Sequence, residues 1–270
     1  YTICLVKSPV ALKLLIPVKS NEAPGGAFRF EKISLTRLEK IVQLRLAAGE
    51  KLDQDMLMLA GLQRIEYVFV YPESGEIDVD NQNNIPGLEA LEDADLMIIF
   101  TRFRDLPDEQ MKHIVDFVES GKPVIGLRTS THAFDIPGDR EYRRWSWRNG
   151  DWDGGFGRQV MGETWVNHHG GHGWQSSSGI IVEAASKHPI LTGIKDGDVW
   201  DPSDVYTVRL PLPKGCEPLL LGRVLSGMSP DDGPCEAETR DDGTVFDKNN
   251  PMMPIAWTNV RKAKSGKKQR

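Results

Sequence analysis

The chain has 270 residues, of which 39% are hydrophobic and 27% charged, the ordinary balance of a soluble globular protein. That length suffices for one large α/β domain or two smaller ones. A net charge of -6 argues against nucleic acid as a partner, since neutralising phosphates needs a basic face, and the basic run Arg261 to Arg270 reads as a solvated hairpin tip or terminus.

Residues 1–30 are weakly patterned and end in the loop signal Pro24, Gly25, Gly26. Within them the apolar run Thr2 to Val18 is broken by Lys7, Pro9, Lys13 and Pro17, so no membrane span is expected. Thr36 with Glu39 makes a capping box, Leu38, Ile41 and Val42 follow at helical spacing, and Gly49 stops the helix. A second helical stretch runs from about Gln54 to Leu62. Ile65 to Tyr71, rich in β-branched and aromatic residues, reads as a strand that joins the sheet.

After Asp78 the pattern changes to strand and helix in alternation. Leu96 to Thr101 is a continuous apolar run, the signature of a strand buried on both faces. Pro107 opens a helix whose apolar positions Met111, Ile114, Val115 and Val118 fall at i, i+3, i+4 and i+7. Gly121 stops it, and Pro123 to Leu127 forms the next strand, giving a right-handed parallel crossover. Ile180 to Ala184, Val205 to Val208, Pro218 to Val224 and Pro254 to Thr258 are further strands, separated by long Gly-, Pro- and Asp-rich loops. Three scattered cysteines, Cys4, Cys216 and Cys235, make neither a disulfide framework nor a thiolate site and fit a reducing compartment. The cytoplasm is the expected location, with export through a leader upstream of Tyr1 left open.

The candidate site is the turn after Pro123–Leu127 together with the segment ending VMGETWVNHHGGHGW. In open α/β sheets ligands bind beyond the carboxyl ends of the strands. A nucleophile elbow would read GxSxG or GxCxG; here Arg128 stands at the elbow, so a covalent serine or thiol mechanism is disfavoured. Thr129, Ser130 and Thr131 are read as capping the turn and bonding ligand hydroxyls. His132 is the candidate general acid/base, or one of His168, His169 and His172 in its place, with Arg102 or Arg128 orienting a hydroxyl or oxyanion. Adjacent His168 and His169 point in opposite directions in an extended segment, and the two glycines that follow make a loop, not a helical ligand pair. No cofactor is therefore expected; His168, His169 and His172 are the candidates should a divalent metal bind.

Five of the seven tryptophans (Trp145, Trp147, Trp152, Trp165, Trp174) crowd this region. Either they form a satellite core pinning loops to the sheet, or some of them, Trp165 and Trp174 first, present flat faces to a sugar ring. Nearby carboxylates (Asp135, Asp139, Glu141, Asp151, Asp153, Glu163) offer no recognisable pair.

From about residue 77 onward the chain resembles the ThuA-like (trehalose-utilisation) proteins of the class I glutamine-amidotransferase-like superfamily. The residues that carry the resemblance are DADLMIIFTRFRDLPDEQMKHIVDFVESGKPVIGLRTSTHAF, FGRQVMGETWVNHHGGHG, KHPILTGI, VYTV and PIAWT. It implies a flavodoxin-like α/β fold, a mostly parallel sheet with helices on both faces, after a small N-terminal helical segment. It also implies two parts: residues 1–76, which resemble an uncharacterised bacterial domain and look like a fusion, and a ThuA-like domain over 77–270. The family continues into a last strand where this sequence stops, so an unpaired edge and self-association are expected. The function implied is a sugar-related enzyme or binding protein acting on a disaccharide or keto-sugar. The alternatives are a non-catalytic ThuA-like interaction module and an amidotransferase-type hydrolase. The expected partner is a small carbohydrate, with no nucleic acid and no membrane.

Overall fold

The computed structural model describes residues 81–269 in full and, before them, the backbone of four strands: β1 (Thr2–Lys7), β2 (Lys13–Lys19), β3 (Phe28–Ser34) and β4 (Glu66–Val70). The helical stretches expected between residues 36 and 62 lie outside the described residues.

The predicted strand–helix–strand unit is present. β5 (Leu96–Phe100) leads through α1 (Asp108–Glu119) to β6 (Val124–Gly126), and β5 pairs with β6 in parallel, Met97 beside Val124. α1 forms where it should. Asp108 and Glu109 complement the dipole in its first turn, and Met111, Ile114, Val115, Phe117 and Val118 are buried along one stripe. Its end is set by Gly121, whose φ of +83° suits glycine and whose α-carbon lies so close to the Lys267 side chain that a methyl group there would approach its Cβ to 2.9 Å.

The remaining architecture departs from expectation. The first sheet runs β4-β1-β5-β6, so the predicted strand over Ile65 to Tyr71 does join it, but β1 pairs antiparallel with both β4 and β5. A second four-stranded sheet has the order β14-β11-β8-β9, from β8 (Ser177–Ile181), β9 (Trp200–Asp201), β11 (Cys216–Val224) and β14 (Met253–Asn259). All its pairings are antiparallel. Small two-stranded ribbons complete the chain: β2 with β3, β7 (Asn167–His168) with β10 (Tyr206–Thr207), β12 (Glu238–Thr239) with β13 (Val245–Phe246), and β15 (Arg261–Lys262) with β16 (Lys268–Gln269).

The expectation of a flavodoxin-like, mostly parallel sheet with helices on both faces is therefore overturned. Among the described residues α1 is the one α-helix, and parallel pairing between strands is confined to β5 and β6. The physical reason is connectivity. A parallel neighbour needs a crossover, usually a helix. After β6 the chain supplies loops and single turns of 3-10 or π-helix instead, and strands joined that way reverse direction. The apolar runs located the strands without fixing their sense. Burial agrees: on β5, Met97 and Ile99 are fully buried towards α1, whereas Phe100 is 38% exposed, so the strand is not covered on both faces. On β6 Ile125 is 47% exposed, and Leu127 just beyond it 46%.

The main core packs α1 and β5 against the loop segment that follows β6: Met97, Ile99, Leu106, Ile114, Phe134, Trp145 and Phe156 form one cluster. A smaller cluster around Val205, Val208, Val224 and Met253 backs the second sheet. The site lies between them, at the carboxyl ends of β5 and β6.

Candidate functional site

Among the described residues, two without the freedom of glycine adopt left-handed backbone angles, and both lie just past the carboxyl ends of the parallel strands: Phe103 at φ 48° after β5 and Arg128 at φ 40° after β6. Such conformations cost about 1–3 kcal/mol each and persist where surrounding contacts enforce them. Those contacts are visible. Leu127 N–H donates to Ile99 O at 2.9 Å, Phe103 N–H to His132 O at 3.0 Å, and Ser130 Oγ–H to Ile99 O at 2.6 Å. A single 3-10 turn, Arg128–His132, follows. Arg128 thus occupies the elbow position.

Within that turn the predicted polar residues divide by role. Ser130 is buried and spends its hydroxyl on backbone carbonyls, so it holds the turn. Thr131 Oγ1 lies 3.3 Å from Arg128 O and 3.2 Å from His132 Nδ1. Thr129 Oγ1 is buried without a hydrogen-bond partner. The turn rests on Gly157, where a methyl group would come within 2.0 Å of Thr131 O, so only glycine allows the two segments to touch.

His132 is 2% exposed and is walled by rings: Trp165 at 4.8 Å, Phe103 at 4.9 Å, Tyr206 at 5.6 Å and Trp147 at 6.3 Å between centroids. Burial, reinforced by the positive charges of Arg102, His168 and Arg128, lowers its pKa to about 3. At neutral pH it is a neutral imidazole that offers hydrogen bonds, not a charged acid. Arg102 stacks its guanidinium over Phe103 at 5.1 Å, and Arg128 stacks over Tyr206 at 4.5 Å.

The centre of the arrangement is a residue that sequence reasoning missed. Asp204 is fully buried, and three donors from distant segments meet its carboxylate. His168 Nδ1 lies 2.6 Å from Oδ2, His172 Nδ1 2.9 Å from Oδ1, and an Arg128 Nη 3.3 Å from Oδ1. Arg128 also donates to Asp204 O at 3.1 Å. Burial alone would push this carboxyl up, but the hydrogen bonds from His172 and His168, with the charges of His168 and Arg128, hold it below the usual carboxylate range. The β7–β10 ribbon builds the cluster: it sets Tyr206 opposite His168, and Asp204 stands two residues before Tyr206. Gly170 lets the loop pass over it, since a methyl group there would meet Asp204 Cβ at 3.2 Å. His168, His172 and Asp204 form a group able to hold a metal ion, one ligand atom from each lying within 4.8 Å of the others.

The predicted opposition of His168 and His169 is what the ribbon produces. His169 is buried on the far side, with Nε2 2.6 Å from Lys248 O and Nδ1 3.4 Å from Thr207 Oγ1, so it holds the loop in place and does not join the triad. Trp174 is 56% exposed with Lys248 Nζ 5.1 Å from its ring, and no ring of the His132 cluster touches it. Trp147 and Trp165, whose rings lie 5.2 Å apart, do line that cluster. Of the nearby carboxylates, Glu163 is fully buried between Arg158 and Arg209, and Asp153 pairs with the same two arginines. These two acids fix the segment that carries Trp165, Glu163 from within the fold and Asp153 from its exposed edge.

The tyrosine also escaped notice in the sequence. The signal for both Asp204 and Tyr206 is thin: the second of two aspartates and an aromatic in DPSDVYT, at the start of an expected strand. No family model, curated protein or solved structure matches the chain.

Proposed function

We propose that this protein is an enzyme acting on a small sugar, a disaccharide or keto-sugar, in carbohydrate catabolism, with a divalent cation held by His168, His172 and Asp204. The observation that carries the proposal is the buried carboxylate of Asp204 joined to two imidazoles beside a pocket walled by aromatic rings. Imidazole nitrogens with one carboxylate are the donor set of zinc and manganese sites, and zinc centres that do chemistry keep a position open. His168 and His172 are 40% and 73% exposed in their side chains, so a substrate could reach such an ion. When bound, the cation would polarise a carbonyl or activate a water.

The chain's own residues supply the rest. Trp165 offers a flat apolar face to the carbon side of a sugar ring, with Tyr206 and Phe103 packed edge-on against it. His132, neutral at working pH, donates or accepts a hydrogen bond at a hydroxyl, and Arg128 clamps Asp204 while covering Tyr206. The class of substrate is the one the ThuA-like resemblance implies; the fold lends it no support, and the proposal rests on the site.

A second reading is favoured by a specific contact. The 2.6 Å bond between His168 Nδ1 and Asp204 fixes an orientation in which Nε2 is free, the arrangement of a carboxylate-oriented general base that needs no metal. The amidotransferase alternative loses ground: arginine stands at the elbow, and burial pushes the Cys216 thiol up, away from an activated thiolate. Among the described residues no helix is long and apolar enough to cross a membrane, and Cys216 and Cys235 are free thiols, which suits the proposed cytoplasmic setting.

The test is turnover. Incubating the chain with keto-disaccharides and zinc or manganese should give product that disappears with a chelator and in His168→Ala. Loss with His168→Ala but not with chelator would select the second reading. No turnover under any condition would contradict both and leave a non-catalytic module.

A further inference from the structure

Among the described residues, the arginines around the site differ in what they meet. Arg128, Arg140, Arg158, Arg209 and Arg261 each meet a carboxylate. Arg102 and Arg148 meet none among the described residues, yet neither lies idle on open surface. Arg102 stacks over Phe103 at 5.1 Å and Arg148 over Trp147 at 4.2 Å, and those two rings lie 5.4 Å apart in the cluster that encloses His132. Arg144 also stacks on a tryptophan, Trp152, but that ring packs on Trp145, away from His132.

The charge around the pocket is therefore unbalanced. Three guanidinium groups (Arg102, Arg128, Arg148) border the rings, and the buried carboxylate beside them, Asp204, is already bonded to Arg128. Glu163 and Asp153, the nearest other acids on the same loop segment, are taken by Arg158 and Arg209. A guanidinium stacked on a ring keeps its edge N–H groups free, and its planar fork matches the oxygens of a carboxylate or phosphate. The field of Arg102 reaches the pocket floor, since it contributes to keeping His132 neutral.

We infer that the substrate carries an anionic substituent, a carboxylate or phosphate on the sugar, and that Arg102 receives it, with Arg148 reinforcing the same rim. This inference rests on the proposed sugar site and narrows it: the natural ligand is a sugar acid or sugar phosphate, not a neutral disaccharide. A divalent ion at the triad would add to the same positive field.

Calorimetric titration of the full chain with glucose, glucuronate, glucose 6-phosphate and inorganic phosphate tests it. The expected result is that glucuronate or glucose 6-phosphate binds about ten-fold or more tightly than glucose, the effect of one or two charge-assisted hydrogen bonds. Whichever of the two binds tighter identifies the substituent. The preference should weaken with added salt and shrink to near parity in Arg102→Gln, with a smaller loss in Arg148→Gln. Both side chains are exposed, and unchanged melting temperatures would show that the variants fold. Equal affinity for glucose and its charged derivatives, or a preference that survives Arg102→Gln, would overturn the inference and leave the sugar reading standing. Inorganic phosphate binding as tightly as the sugar phosphate, with loss in Arg102→Gln, would confirm the anion site and remove the sugar. No binding of any of the four would sink both.

Discussion

The buried imidazole of His132 makes a quantitative prediction about acid stability. In the unfolded chain its pKa is near the ordinary 6.5, and in the folded protein it is about 3. Above pH 6.5 both states are neutral at this position and it contributes nothing to the pH dependence. As pH falls below 6.5 the unfolded chain takes up a proton that the folded protein refuses, so stability declines, and the decline continues down to about pH 3. Between pH 8 and pH 5 this single group should remove about 2 kcal/mol. The perturbation is His132→Gln, which retains a polar side chain of similar size but cannot titrate. Urea unfolding at pH 8 and pH 5 gives four free energies. The wild type should lose about 2 kcal/mol more than the variant across that interval, since the two proteins share every other ionisable group. Equal losses would show that His132 is solvated or already paired, and would refute the description of a closed aromatic pocket.

Two further substitutions probe how the site is held. Glu163→Ala would empty a buried carboxylate site while Arg158 and Arg209 keep Asp153 as a partner, and should lower the free energy of unfolding by about 1–3 kcal/mol; an unchanged free energy would mean those ion pairs are open to water. Gly157→Ala sets a methyl group against Thr131 O, so it should cost about 1–3 kcal/mol and weaken ligand binding by displacing the Thr131–His132 turn. Unchanged stability and binding would show that the two segments are not in contact.

How much of this was legible in the sequence depended on the range of the interaction. The β5–α1–β6 unit could be read because each signal is local: an apolar run, a helical stripe from Met111 to Val118, and Gly121 as a stop. The sheet directions could not. Leu220 and Ile255 report that a strand is apolar, and nothing in that pattern says whether its neighbour runs parallel. The split between His168 and His169 was legible, since successive residues of an extended segment face opposite sides. Asp204 was not, because it meets His168 across 36 positions through a ribbon only two residues long on each strand. Trp174, grouped with the site by proximity in sequence, turns to Lys248 instead. The short-range turn chemistry put Arg128 in the turn after β6, and its partner lay 76 residues away.

The most direct test of the central claim is a calorimetric titration of the metal-free chain with zinc and manganese, repeated for His168→Ala, His172→Ala and Asp204→Asn. One ion per chain should bind for at least one of the metals, with affinity falling at least ten-fold in each variant while the fold persists. Binding that is absent in the wild type, or that survives all three substitutions, would contradict that claim.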